Sequence, residues 1–200
     1  MAKASWVKVN PSSGSGNATV NVSSTAEHTG RKARTSILTW KAANVADVVR
    51  MVNQAGKPEY VDVDDAAAAD KAGKVVTIAG ISNSAKLTFS LGTGDLEIAL
   101  PDTYTANSLS TANGAAIAGD PGALQEYPFS IVITVPANEC ISPLSRQIVV
   151  TDEGGHQDVC TLTLAAGDAY ITIAEGDIEL DYLGTPVTVA VESNTTWTVE

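Results

Sequence analysis

Ile131-Val132-Ile133-Thr134-Val135 and Val187-Thr188-Val189-Ala190-Val191 decide the fold. Each sets large apolar side chains against smaller or polar ones with a period of two, as does Thr19-Val20-Asn21-Val22. Successive side chains of a strand point to opposite faces, so this alternation is how a half-buried strand reads. Clusters rich in Gly, Pro, Asn and Ser punctuate the chain: Pro11-Ser12-Ser13-Gly14-Ser15-Gly16, Gly119-Asp120-Pro121-Gly122 and Asp152-Glu153-Gly154-Gly155. Strands at short intervals with turn signals between them predict an all-β sandwich. Only Asp64 to Ala72, with four consecutive alanines, reads as a helical turn or two.

Composition bounds the function classes. Two hundred residues accommodate one large domain or two of roughly 100 residues. Hydrophobic residues make up 44 % but aromatic ones only 5 %, so Val, Ile, Leu and Ala must fill the cores. Twelve basic residues against 23 acidic ones give a formal charge of −11, a surface that repels phosphate backbones. Nucleic acid is therefore not an expected partner. No apolar run approaches the ~18 residues of a membrane-spanning helix, so no membrane insertion is expected. The opening Met1-Ala2-Lys3-Ala4-Ser5-Trp6 lacks the apolar stretch of a secretory leader; either the chain is not exported by that route or its leader has been removed. Cys140 and Cys160 are too few for a disulfide framework, whether they meet across a loop or stay as thiols.

An internal repeat organises the chain. Ala46 to Gly56 aligns with Gln157 to Gly167, matching Asp47, Val48, Ala55 and Gly56 to Asp158, Val159, Ala166 and Gly167 at a shift of 111. Tyr60-Val61-Asp62-Val63 matches Tyr170-Ile171-Thr172-Ile173, and Gly73, Val76, Thr77, Ser82 and Asn83 match Gly184, Val187, Thr188, Ser193 and Asn194. Trp6 to Pro11 faces Ala116 to Pro121 at a shift of 110. Residues 1 to 89 are thus a diverged copy of about 111 to 200. Residues 92 to 127 have no counterpart and read as an irregular surface insertion.

The stretch Ser5-Trp6-Val7-Lys8-Val9-Asn10-Pro11-Ser12-Ser13-Gly14-Ser15-Gly16-Asn17-Ala18-Thr19-Val20 resembles the second half of a BACON domain, with Val52-Asn53-Gln54-Ala55-Gly56 resembling its last strand. BACON domains are immunoglobulin-like modules common in Bacteroidetes and their phages. The first half of such a module resembles Ile171-Thr172-Ile173 through Gly184, Val187 to Val191, and Ser193-Asn194-Thr195-Thr196-Trp197-Thr198-Val199. Lys86 stands where Trp197 would be expected in the middle copy, so the family's tryptophan pattern does not extend to it. The resemblance implies two immunoglobulin-like (BACON-like) sandwich units, one split between the two ends of the chain. Residues 1–57 would be a second half, 58–168 a complete diverged module carrying the insertion 92–127, and 169–200 a first half. The halves have three ways to avoid exposing apolar faces: closure within the chain, completion of a neighbouring copy, or membership of a longer array.

Catalytic chemistry has no footing in the sequence. His28 and His156 fall in predicted loops without Cys or His at metal-ligand spacing and read as solvated. No Gly-x-Ser-x-Gly elbow is present, and Gly92-Thr93-Gly94 and Gly119-Asp120-Pro121-Gly122 lack the lysine of a phosphate loop. Asp62, Asp64, Asp65 and Asp70 read as a solvated interdomain linker, without the spacing of an EF-hand. Arg31, Lys32 and Arg34 form one basic cluster at a predicted hairpin tip, suited to discouraging wrong pairing or to docking on an acidic neighbour. No metal or other cofactor is expected.

The expectation is a non-enzymatic virion structural protein of a phage, a capsid decoration, head-fibre or tail-associated component. Its partners would be itself or other virion proteins. Trp6, Val187, Val189, Val191 and Trp197 are the expected assembly positions, with 171–173 and 187–191 adding to the sheet begun by residues 5–55. Trp6 and Trp197 read as core, and the insertion as the variable outer surface. The alternative is a glycan- or mucin-binding module at a bacterial cell surface, with Tyr104, Tyr127 and Trp40 as the exposed contacts.

Overall fold

The computed structural model describes residues 3–200; Met1 and Ala2, the head of the stretch read above for a leader, lie outside the described residues. The N-terminal segment forms two hairpins. β1 (Val7–Asn10) pairs antiparallel with β2 (Asn21–Ser24), placing Val9 opposite Val22. β3 (Arg34–Trp40) pairs with β4 (Val48–Gln54), placing Ser36 opposite Val52. Val7 and Leu38 are buried between the hairpins, and the Ala4 N–H donates to Ser36 Oγ at 2.9 Å.

A complete sandwich follows. β5 (Val61–Val63), β6 (Ala66–Ala69), β7 (Lys74–Ser82) and β8 (Leu87–Gly94) are its first four strands. β9 (Thr103–Ala106), β10 (Leu109–Ala112), β11 (Tyr127–Val135), β12 (Leu144–Asp152) and β13 (Gln157–Leu164) complete it. One sheet has the order β10-β9-β11-β7-β5 and the other β6-β13-β12-β8. β11 shows why the alternation works: its odd positions, Tyr127 to Val135, are all buried, while Pro128, Val132 and Thr134 face out. Ile78, Leu87, Ile131, Ile133, Ile148 and Leu162 meet between the sheets as aliphatic core. The chain is all-β, and the only helical turn among the described residues is a 3-10 turn at Pro121–Ala123.

Three expectations are corrected within this sandwich. The alanines of 64–72 form no helical turn: β6 lies parallel to β13, with Ala69 beside Leu164. Four residues are too few to repay helix nucleation, and the free edge of β13 offers ladder hydrogen bonds to alternate residues of the segment instead. The insertion is not an irregular surface loop, because its hairpin β9–β10 extends the five-stranded sheet and Leu96, Tyr104, Ala106 and Ile117 enter the core. Asn113 pins it to β8 by exchanging hydrogen bonds with the Phe89 N–H and carbonyl at 2.8 and 2.9 Å. The acidic group is not a linker between domains either. Asp62, Asp64 and Asp65 lie around the β5–β6 turn, where Asp64 Oδ2 accepts from the Ala79 N–H.

The C-terminal segment forms one small hairpin, β14 (Ile171–Ile173) with β15 (Val191–Ser193). Its register, Ile171 opposite Ser193 and Ile173 opposite Val191, reproduces that of β5 with β7, Val61 opposite Ser82 and Val63 opposite Gly80. The turns repeat as well, since Gly73 N–H donates to Asp70 O and Gly184 N–H to Asp181 O. The expected strand 187–191 is not formed over 187–190. In the sandwich the matching part of β7 is held by β11, and no described strand takes the place of β11 beside 187–190. Structure also resets the frame of the repeat. β3–β4 and β12–β13 superpose at a shift of 110, Arg34 opposite Gln54 matching Leu144 opposite Leu164, so the alignment of 46–56 at 111 was one residue out of phase.

Candidate functional site

The two terminal segments each leave an unfinished apolar face. Ile78 and Val76 are 0 % and 7 % exposed in the sandwich, but their C-terminal counterparts Val189 and Val187 are 37 % and 51 % exposed. Leu180, at the position of buried Ala69, is 62 % exposed. At the other end, the pleat of β1–β2 matches Val22 to Ile133, and the frame of β3 matches Trp40 to Val150. Those two sandwich residues are fully buried, while Val22 and Trp40 stand 42 % and 41 % exposed. Trp40 borders an open cleft of ≈ 640 Å³ with Val9, Leu38, Lys3 and Ser12. Completing such a half-covered side chain is worth about 1 kcal/mol, half of its full transfer value.

Charge divides sharply between the ends. Residues 1–57 carry eight basic and two acidic side chains, a net of +6, whereas 169–200 carry six acidic and no basic ones, a net of −6. The overall acidity therefore conceals two complementary segments. They sit at opposite poles of the sandwich. The N-terminal segment docks beside Asn83, just past the Ser82 end of β7; the C-terminal segment docks beside Glu139 and Asp168, near the Lys74–Val135 end. The nine residues of β7 separate these poles, roughly 27 Å at ~3.3 Å per residue.

One junction is built twice. Asn83, wholly buried, accepts from the Tyr60 N–H at 3.0 Å and donates to Thr29 O and Pro58 O at 3.2 and 3.1 Å. Asn194 accepts from the Tyr170 N–H at 3.0 Å and donates to Glu139 O and Asp168 O at 3.0 and 2.9 Å. Each partner recurs 110 residues on. Ser82 and Ser193 likewise both donate to the carbonyl of the tyrosine, Tyr60 or Tyr170. A buried amide with both ends satisfied fixes the angle at which one unit meets the next.

The first junction has further support. Arg31 Nη1 lies 2.5 Å from Asp120 Oδ1, and Lys32 Nζ lies 3.0 Å from its Oδ2. The hydrogen bond from Arg31 holds the Asp120 carboxyl below its ordinary range, and the same bond raises the guanidinium. The Arg31 and Lys32 N–H groups donate to Gly122 O and Ala123 O. Backbones approach so closely here that a Cβ on Gly122 would lie 1.9 Å from Asn83 O, and one on Gly30 2.2 Å from Leu124 C. The basic cluster thus docks on an acidic neighbour within the chain. Arg34 takes a separate role, with its guanidinium 4.6 Å from the centre of the Trp6 ring.

The remaining candidate residues divide. Tyr104 and Tyr127, expected as exposed contacts, are 3 % and 1 % exposed, because the insertion folds into the core rather than over it. Tyr127 Oη donates to Ser84 O at 3.0 Å, and burial pushes both phenols up. Trp40 is exposed, Trp6 half-buried, and Trp197 is 48 % exposed rather than packed in a core. Val191 alone of the valines 187, 189 and 191 lies in a strand. His28 is buried, not solvated, with Nε2 2.7 Å from Lys32 O. His156 keeps to the β12–β13 turn, its ring nitrogen 2.8 Å from the buried Asp152 carboxylate. Cys140 is exposed and Cys160 buried, both as free thiols. No cluster of three metal-ligating side chains occurs among the described residues.

Sequence reasoning missed Asn83, Asn194 and the charge division. The asparagines were visible as matched letters of the repeat, but their hydrogen bonds to Thr29 and Glu139 span 54 and 55 residues. The charge division was legible once counted by segment rather than over the whole chain. Compared with known proteins, the chain matches no family model, and no curated protein matches it.

Proposed function

We propose that this chain is a non-enzymatic structural protein that assembles through sandwich modules, one of which is shared between its two terminal segments. The observation that carries this reading is the pair of exposed apolar faces on the terminal segments, Val22 and Trp40 at one pole and Leu180, Val187 and Val189 at the other. Edges and apolar faces of this kind invite strand addition. The resemblance to BACON-type modules of Bacteroides-type phages supports a place in the virion, as capsid decoration, head fibre or tail-associated protein. The acidic surface suits a component that must stay soluble at high copy number before assembly. Light scattering and negative-stain images of the 200-residue chain, beside a chain ending at Asp168, test it. Oligomers or filaments that vanish on truncation are expected. A strictly monomeric intact chain removes the reading. Detection of the chain in purified phage particles, rather than in bacterial outer membranes, tests the location.

A second reading rests on Trp40. Its exposed indole beside the cleft of ≈ 640 Å³ is the one aromatic candidate that the fold leaves accessible. Aromatic faces stack on sugars, so a glycan-binding module at a cell surface is the alternative. Quenching or blue shift of Trp40 fluorescence by mucin oligosaccharides, lost in Trp40→Ala, supports this alternative; an unchanged spectrum ends it.

A further inference from the structure

We infer that the partner completing the N-terminal half-sandwich is the C-terminal segment of a second copy of this chain, seated head to tail in the register of β11 with β7. The inference rests on the assembly reading above and adds its occupant, direction and register. Three observations carry it. The halves bear charges of +6 and −6, so each attracts the other and repels its own kind. They occupy opposite poles of the sandwich, separated by the full length of β7, so the chain does not close on itself. Finally, the chain contains its own template, because β14–β15 and both asparagine junctions already reproduce the sandwich geometry.

The template fixes the contacts. In the sandwich Ile133 faces Val76 and Ile131 faces Ile78. Carried to the matching positions, Val22 faces Val187 and Val20 faces Val189, with all four side chains pointing inward. Segment 187–190 then becomes the strand that it fails to be alone. β2 has an edge to receive it, being paired to β1 on its other side. In the second sheet β6 runs parallel to β13, with Ala67 beside Leu162. The same step sets Ile178 beside Val52 on the outer edge of β4. Each contact joins two different surfaces, so the assembly is heterologous. It grows into rings or open filaments rather than closed pairs.

Outward-facing positions test the register without disturbing either core. Asn21 and Thr188 match the outward pair Val132 and Thr77, and both are exposed. Opposed residues of antiparallel strands lie within disulfide reach. In a Cys140→Ser background, one chain carries Asn21→Cys and another Thr188→Cys. Mixed and oxidised, they are expected to give a reducible dimer in roughly tenfold greater yield than Asn21→Cys mixed with Val189→Cys, which points to the other face. Assembly without the register-specific link overturns this inference and leaves the assembly reading standing. A chain carrying both cysteines that links internally at monomer mass, at high dilution, overturns the second copy as occupant. A chain that never assembles removes both. As a check on the unsubstituted chain, raising the salt is expected to weaken assembly several-fold, and salt-independent assembly contradicts the charge match.

Discussion

Replacing Asn83 is the sharpest perturbation of the junction. Its side chain is wholly buried and links two stretches, 29 and 58–60, at 3.0–3.2 Å, with a longer contact to Lys57 O at 3.5 Å. Asn83→Ala leaves the Tyr60 N–H and the Thr29 and Pro58 carbonyls without the partner that a wholly buried side chain gave them. At ~1–3 kcal/mol for each buried group, partly relieved by relaxation, about 3 kcal/mol of docking free energy is lost. Asn194→Ala removes the same bonds from a half-exposed site where water replaces them, and about 1 kcal/mol is expected. Asn83→Asp keeps the shape but turns the donor end into an oxygen facing carbonyl oxygens, so it is expected to cost at least as much as the alanine. Tryptophan fluorescence reads this cleanly, because Trp6 and Trp40 lie in the N-terminal segment and residues 58–168 contain none. Urea unfolding followed by that signal in a Trp197→Phe background gives the loss directly. A shift below about 0.5 kcal/mol for Asn83→Ala, or a neutral Asn83→Asp, refutes the amide as the junction's lock.

Two further outcomes follow from named groups. Because its pKa is depressed by Arg31, Asp120 stabilises the junction above its unfolded-state pKa, and that contribution is lost as the pH falls through the lower folded value. Protection factors at the Arg31 and Lys32 amides, that is, exchange rates divided by the intrinsic rate at each pH, are therefore expected to be high at neutral pH and to fall in acid, with that fall abolished by Asp120→Asn; an unchanged profile in that variant contradicts the assignment. Burial pushes the Cys160 thiol up to about 11, while Cys140 is exposed. A thiol reagent at neutral pH is expected to titrate one group in the native chain and two in denaturant, and two fast thiols in the native chain contradict the packed core.

Much of the fold was legible because strand alternation is a local property. β11 follows from its own side chains, which must face a core or water in turn. The repeat was also visible, and with it the kinship of 169–200 with the start of the sandwich. Its frame was not: Val48 to Gln54 does not alternate, since the adjacent pairs Val48-Val49 and Met51-Val52 put an apolar residue on each face, and only pairing with β3 selected Val52 and Leu38 as one side. The same limit hid Tyr104, since a polar-looking insertion becomes core when Asn113 and the β9–β10 hairpin bind it to existing edges. By itself the sequence determined an all-β chain with an internal repeat and, once counted by segment, oppositely charged ends. Tertiary structure alone decided which residues are covered, where the two ends stand, and that Asn83 and Asn194 make the same joint. The reason is physical: alternation and charge belong to each segment, whereas burial and poles depend on contacts between residues far apart in the chain.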